Sequence, residues 1–179
     1  MNTKKVENAV RTILEEVGVP KKSETYKNTP QRVRKMYEEF FIKKEPRITM
    51  FKNSKYKDII TLKEIPFYSL CAHHLLPFFG NTSIAYIPGK KIVGLSKIPR
   101  IVKHFASRPQ VQEEMTANIA DYIFKKIDAQ GVMVVVKARH LCMEMRGPRT
   151  NVETMTSAIR GTFETRPATK EEAMKLILK

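Results

Sequence analysis

Cys71-Ala72-His73-His74 and His140-Leu141-Cys142 hold both cysteines of this 179-residue chain and three of its four histidines. Thiolate and imidazole are the donors that bind zinc and similar borderline-soft ions. Their concentration in two short clusters points to one metal site assembled from distant parts of the chain. Cys71 and His74 have Cys-x-x-His spacing, short enough for a turn or strand end to bring both to one ion. If the strand leading to His140 continues, His140 and Cys142 lie on the same face of it. Cys71, His74 and Cys142 then make a ligand set of mixed sulfur and nitrogen type. A structural zinc takes four protein ligands, whereas a catalytic zinc takes three and leaves a position for water. His73 and His140 are left over, each open to a role as a further ligand or as an acid or base. Two free histidines beside such a water suit hydrolysis, one handling the water's proton and the other protonating the substrate.

The composition narrows the classes. Two cysteines make no disulfide framework, which suits a reducing compartment. With 42% hydrophobic and 28% charged residues, the chain fits a soluble domain that can bury a core without a metal staple. A metal here is therefore read as chemistry. The net charge of +15 allows a nucleic-acid partner, an anionic small substrate such as a nucleotide triphosphate, or a solvated lysine-rich surface. The lysines are scattered, without long runs or interleaved aromatics, so no nucleic acid is expected. A nucleic-acid-binding protein with structural zinc would also need a fourth protein ligand. The N-terminus leads into an amphipathic pattern and not a signal-type core, and no apolar run reaches about 18 residues. A cytoplasmic protein with no membrane partner is expected.

The elements that must position these residues follow from periodicity. Val6, Val10, Ile13, Leu14 and Val17 predict a helix over 3–17. Lys21–Lys27 reads as a polar loop, and Asn28-Thr29-Pro30 as the start of a second helix with Val33, Met36, Tyr37, Phe40 and Phe41 on its apolar face. Arg32 and Lys35 share another face of that helix. Residues 58–70 read as a strand, with Pro66 at an edge or bulge. Phe79-Gly80-Asn81 reads as a turn, followed by strands over Thr82–Ile87 and Ile92–Leu95. Ser96 caps a helix carrying Ile98, Ile101, Val102 and Phe105. Another helix is expected from Arg108-Pro109 to about Ala129. Val132–Val136 is a continuous apolar run, as in a strand covered on both faces. A further strand over 152–163 and a short helix capped by Thr169 close the chain. Apart from the short strand over Ile92–Leu95, the order is helices, then β-β-α-α-β-β, then a helix, which predicts an α+β domain over 46–179 behind a helical extension over 1–45. Four strands leave sheet edges open, and closure of a barrel with other subunits would cover them.

The stretch Ser69–Gly80 closely resembles GTP cyclohydrolase I, together with Gly94-Leu95-Ser96-Lys97, Arg100, Arg108–Glu113, Thr116, Gly131-Val132 and His140-x-Cys142-Met143-x-x-Arg146-Gly147. The motifs stand in family order over about residues 29–163. The resemblance implies the tunnelling fold, with subunits closing a pentameric barrel and two pentamers forming a homodecamer. It implies a zinc-dependent hydrolase that opens the imidazole ring of GTP, releases C8 as formate and yields 7,8-dihydroneopterin triphosphate. Folate, modified-base and tetrahydrobiopterin synthesis all begin from that product.

Carried onto this chain, the resemblance makes Cys71, His74 and Cys142 the zinc ligands and has a zinc-bound water attack guanine C8. His140 matches the residue that protonates guanine N7, and His73 a second catalytic histidine. Glu113 matches the carboxylate that binds guanine, with Gln112 assisting. Lys97, Arg100 and Arg146 match triphosphate contacts, and Ser96 a catalytic-site residue near the phosphates and ribose. Arg32 and Lys35 match basic residues reached from a neighbouring subunit. The chain departs from the family at Ala72, where glutamate is usual, and at Glu114-Met115, where Arg-Leu is common. The change at Ala72 leaves open a weakened cyclohydrolase or an enzyme of the same fold acting on another purine or pterin.

Overall fold

The computed structural model describes residues 1–41 and 44–178. The chain divides into two compact units, residues 1–43 and 44–179. The first is a pair of helices, α1 (Thr3–Glu16) and α2 (Glu24–Phe40). Asn2 caps α1 by accepting a hydrogen bond from the Lys5 amide at 3.0 Å. The second helix starts earlier than Asn28-Thr29-Pro30 suggests. The Ser23 hydroxyl accepts from the Tyr26 amide at 3.1 Å and starts α2 there, so the expected loop over Lys21–Lys27 is largely helical. Pro30 lies buried inside that helix.

The second unit is α+β. It contains β1 (Met50–Lys52), β2 (Ile60–Cys71), β3 (Pro77–Ile87), β4 (Lys91–Val93), α3 (Lys97–Ala106), β5 (Pro109–Gln110), α4 (Gln112–Lys126), β6 (Gly131–His140), α5 (Leu141–Glu144), β7 (Glu153–Gly161), α6 (Thr162–Thr165) and α7 (Pro167–Leu178). The main sheet has the order β5-β2-β3-β6-β7, antiparallel except for the short parallel pairing of β2 with β5. A separate ribbon pairs β1 with β4.

Strand β6 explains its own sequence. Val132, Val134, Val136 and Ala138 enter a core with Ile98, Ile101 and Val102 of α3 and Met115, Ile119 and Ile123 of α4. Met133 and Val135 enter a second core with Phe163 of α6 and Ala173 and Ile177 of α7. Both faces are covered, so alternation disappears. Burying each such aliphatic side chain is worth about 1.5–3 kcal/mol, which fixes the register of the strand and the position of the residue at its end, His140.

Several boundaries differ from expectation. Gly80 does not turn the chain; β3 runs unbroken from Pro77 and Gly80 pairs with Phe67 on one side and Ala138 on the other. Pro109-Gln110 is not helical but pairs with Leu70-Cys71, so α4 begins at Gln112. Thr169 lies inside α7, which starts at Pro167, a residue suited to a first helical turn. Pro66 lies beside an irregularity between Leu62 and Ile65, as a bulge requires. Among the described residues no helix is long and apolar enough to cross a membrane.

Candidate metal centre and nucleotide site

One end of the main sheet gathers the chemistry. Strand β2 ends at Cys71, and a tight turn carries Ala72, His73 and His74 into β3. The turn is held by hydrogen bonds from the Cys71 amide to Leu76 O and from the Leu75 amide to Cys71 O, each 2.8 Å. Leu75 takes a left-handed φ of 55° to close it. Strand β5 is tied alongside: the Ala72 amide donates to Gln110 O at 3.1 Å, the Ser69 hydroxyl to Arg108 O at 3.1 Å, and Gln110 Nε2 to Ser69 Oγ at 3.0 Å. This pairing places the first turn of α4, with Gln112 and Glu113, next to the β2–β3 turn.

Cys142 reaches the site by a different route from the one its spacing suggests. Strand β6 stops at His140, and Leu141–Glu144 form a single helical turn. His140 and Cys142 therefore do not share a strand face. The helical turn brings the thiol back toward Cys71 instead. Among the described residues, Cys71, His74 and Cys142 form the group whose ligand atoms all lie within 4.8 Å of one another. Cys71 Sγ lies 3.8 Å from His74 Nδ1, a separation that one tetrahedral ion spans with both atoms as ligands. His73 Nδ1 is equally near Cys71 Sγ, at 3.7 Å, so distance to Cys71 alone does not separate the two histidines; Cys142 does.

The donor set fits a metal. Two thiols and an imidazole in this arrangement suit zinc. Burial, and next the neighbouring Cys71 thiol, push the Cys142 thiol upward from its ordinary pKa. A divalent cation would reverse that balance by stabilising both thiolates. On the far side of His74, Arg146 Nη1 lies 2.7 Å from Nε2.

His140 is clamped beside this group. Its ring lies parallel to Phe78, with centroids 4.8 Å apart and an interplanar angle of 1°. Its Nε2 is 2.7 Å from Gln112 Oε1. Burial is the largest influence on the ring and lowers its pKa; the charges of Glu113 and Glu144 oppose that effect. Glu113 is exposed in the first turn of α4, where a carboxylate is also favoured by the helix dipole. Gln112, expected beside it, is 2% exposed and its amide is engaged with the protein.

The remaining basic residues are more dispersed. Ser96 occupies the N-cap position of α3 without a side-chain capping bond, and Lys97 and Arg100 follow in its first turn. Among the described residues no hydrogen bond links them to Cys71, His74 or Cys142. Arg32 and Lys35 are exposed on α2 within the first unit, while Arg34 between them pairs with Glu7 and Glu38. Sequence reasoning missed Phe78, Thr156 and Gln110 as supports of the site. A period-two reading of Pro77–Ile87 would have marked Phe78 as inward, but the other two act through pairings distant in the chain.

Comparison with known proteins settles the lineage. The family profile described as GTP cyclohydrolase I matches residues 6–178. The chain belongs to the GTP cyclohydrolase I family. Proteins named GTP cyclohydrolase 1 from Carboxydothermus hydrogenoformans and Clostridioides difficile are each 46% identical to it, over 99% of this chain and 95% and 97% of their own length. The protein of that name from Aquifex aeolicus is 48% identical over 99% of this chain and 97% of its own. The group at Cys71, His74 and Cys142, whose ligand atoms could hold a metal ion, thus lies in a member of the GTP cyclohydrolase I family.

Proposed function

We propose that this protein converts GTP to 7,8-dihydroneopterin triphosphate and formate. The observation that carries the reading is the conjunction of the Cys71/His74/Cys142 group with His140 and Glu113 beside it, in a chain of this family. Cys71, His74 and Cys142 hold zinc. Zinc held there would supply the chemistry of a water whose pKa is brought toward about 7, near neutral pH.

The side chains do the rest. The Glu113 carboxylate accepts from N1–H and the 2-amino group of guanine, a pair of donors on one edge that adenine lacks. His140 delivers a proton to N7, which makes C8 electrophilic, and C8 leaves as formate after the ring opens. Its depressed pKa makes it a willing proton donor once charged. His73, exposed in the turn, carries protons to and from the opened ring. Lys97 and Arg100 bind the triphosphate. Two cations at the positive end of α3 repel the helix dipole, and an anion between them relieves that repulsion. Ser96 contacts the phosphates and ribose, and Arg146 turns from His74 to the phosphates. Arg32 and Lys35 complete the site from a neighbouring subunit of a homodecamer built on the tunnelling fold. Closure of a barrel between subunits would also cover the free edge of β7. The helical extension and the catalytic domain divide near residue 45.

The test is product identification. GTP and protein of defined zinc content are incubated, the product is oxidised, and pterin fluorescence and formate are measured. Equal amounts of both are expected. The absence of both at every zinc loading would overturn the reading.

A further inference from the structure

We infer that Gln112 is a positioning residue: its buried amide holds a proton on His140 Nε2 and leaves Nδ1 as the nitrogen that exchanges a proton with the substrate. The role of His140 rests on the proposed reaction; the hydrogen-bond assignment does not.

The direction of every bond follows from groups that can only donate or only accept. Gln112 is 2% exposed. One end of its amide faces Val136 O at 3.1 Å, Thr154 O at 3.2 Å and Thr156 Oγ1 at 3.1 Å. Two of these are backbone carbonyls, which only accept, so that end is the amide nitrogen. The threonines agree. Thr116 donates its hydroxyl proton to Gln112 O at 2.8 Å, so at its 2.7 Å contact with Thr156 it accepts. Thr156 has then spent its proton on Thr116 and accepts from the Gln112 nitrogen.

The other end of the amide is therefore oxygen, and an amide oxygen only accepts. It lies 2.7 Å from His140 Nε2, which must carry a hydrogen. A neutral imidazole with Nε2–H has its lone pair on Nδ1; the charged ring has a second proton there. Among the described residues no side chain hydrogen-bonds to His140 Nδ1. The parallel Phe78 ring, fully buried, holds the plane in place. Leaving the amide unpaired in this interior would be costly, so the network has one stable orientation. Gln112 thus reaches the substrate through His140, and its anchors extend to β6 and β7.

Solid-state NMR of the protein as purified, with ring-¹⁵N histidine, reads the tautomer directly. The His140 signal is assigned by its loss in His140→Gln. At a pH where the ring is neutral, a single Nε2–H tautomer is expected. In Gln112→Met both tautomers are expected, with kcat for GTP lowered about tenfold or more and KM changed much less. An Nδ1–H signal in the unmodified protein overturns the inference. So does a folded Gln112→Met protein that keeps both the Nε2–H tautomer and its kcat. The unmodified spectrum needs no variant and decides the matter if Gln112→Met does not fold. No product from GTP, with the Nε2–H tautomer present, overturns the assigned reaction and leaves the hydrogen-bond assignment in place.

Discussion

Gly80 and Lys137 approach so closely that a Cβ on Gly80 would lie 2.0 Å from the Lys137 carbonyl oxygen. The glycine serves the contact between β3 and β6 and not a turn. The same register sets Phe78 opposite His140. Gly80→Ala must separate the strands where the site's histidine is seated. A loss at or above the upper end of the about 1–3 kcal/mol typical of overpacking is expected. Denaturant unfolding checks it, and an unchanged midpoint would show that the strands can part freely.

Phe78→Leu tests the clamp on His140 itself. The substitution keeps an apolar side chain in the core but removes the flat surface beneath the imidazole. Stability should fall by about 1–2 kcal/mol. The kcat for GTP should fall by more than that loss explains, while zinc content stays unchanged. Equal turnover in a folded Phe78→Leu protein would mean that Gln112 alone orients the ring.

Much of this was legible in the sequence, and the misreadings share a cause. The run Val132–Val136 identifies a strand covered on both faces because burial dictates composition there. The cysteines and histidines point to one site because those residue types are scarce. Gly80 misleads because the need for a bare Cα comes from Lys137, far along the chain. His140 and Cys142 mislead because nothing local announces that β6 stops and a single helical turn begins. Pro109-Gln110 looks like a helix start until Leu70-Cys71 is placed beside it. Gln112 looks like a surface neighbour of Glu113, yet Val136, Thr154 and Thr156 draw its amide inward.

Removing one ligand should separate metal from fold. Cys142 lies in a one-turn helix at the sheet's end, partly buried and packed at the margin of the core. Cys142→Ser is expected to lose most bound zinc and all detectable turnover while keeping its far-UV circular dichroism. Metal analysis and spectra on the same sample check this. Full zinc occupancy in Cys142→Ser would remove that residue from the ligand set.

His104, the histidine outside the site, should shape acid stability. Burial, and next the charge of Arg108, hold its pKa below the ordinary value. Its Nδ1 is buried, and the Lys44 backbone and the charge of Glu45 oppose the shift only in part. Folding thus favours the neutral ring. The stability it contributes is present above the unfolded value of about 6.5 and is lost as pH falls through the folded value. The melting temperature should drop on acidification below about pH 6.5 more steeply in the unmodified protein than in His104→Leu. Parallel curves would assign acid sensitivity to other groups.

Ala72 stands between Cys71 and His74 of the candidate metal group, at a position where the family resemblance leads one to expect glutamate. Its side chain is exposed, and its backbone amide is already committed to Gln110 O. Ala72→Glu therefore disturbs no buried contact, and stability should change by no more than about 0.5 kcal/mol. A carboxylate there lies next in sequence to His73 and can accept from a ring N–H, orienting the imidazole and favouring its charged form. A rise in kcat of up to about tenfold is expected, the lower end of what outer partners of metal sites contribute. Turnover and zinc affinity are measured together, because a gain in affinity alone would place the carboxylate's effect on the ligands and not on His73. An unchanged kcat with unchanged affinity would show that this chain's site works without that charge, and that His140, seated on Phe78 and held by Gln112, carries the acid chemistry unaided.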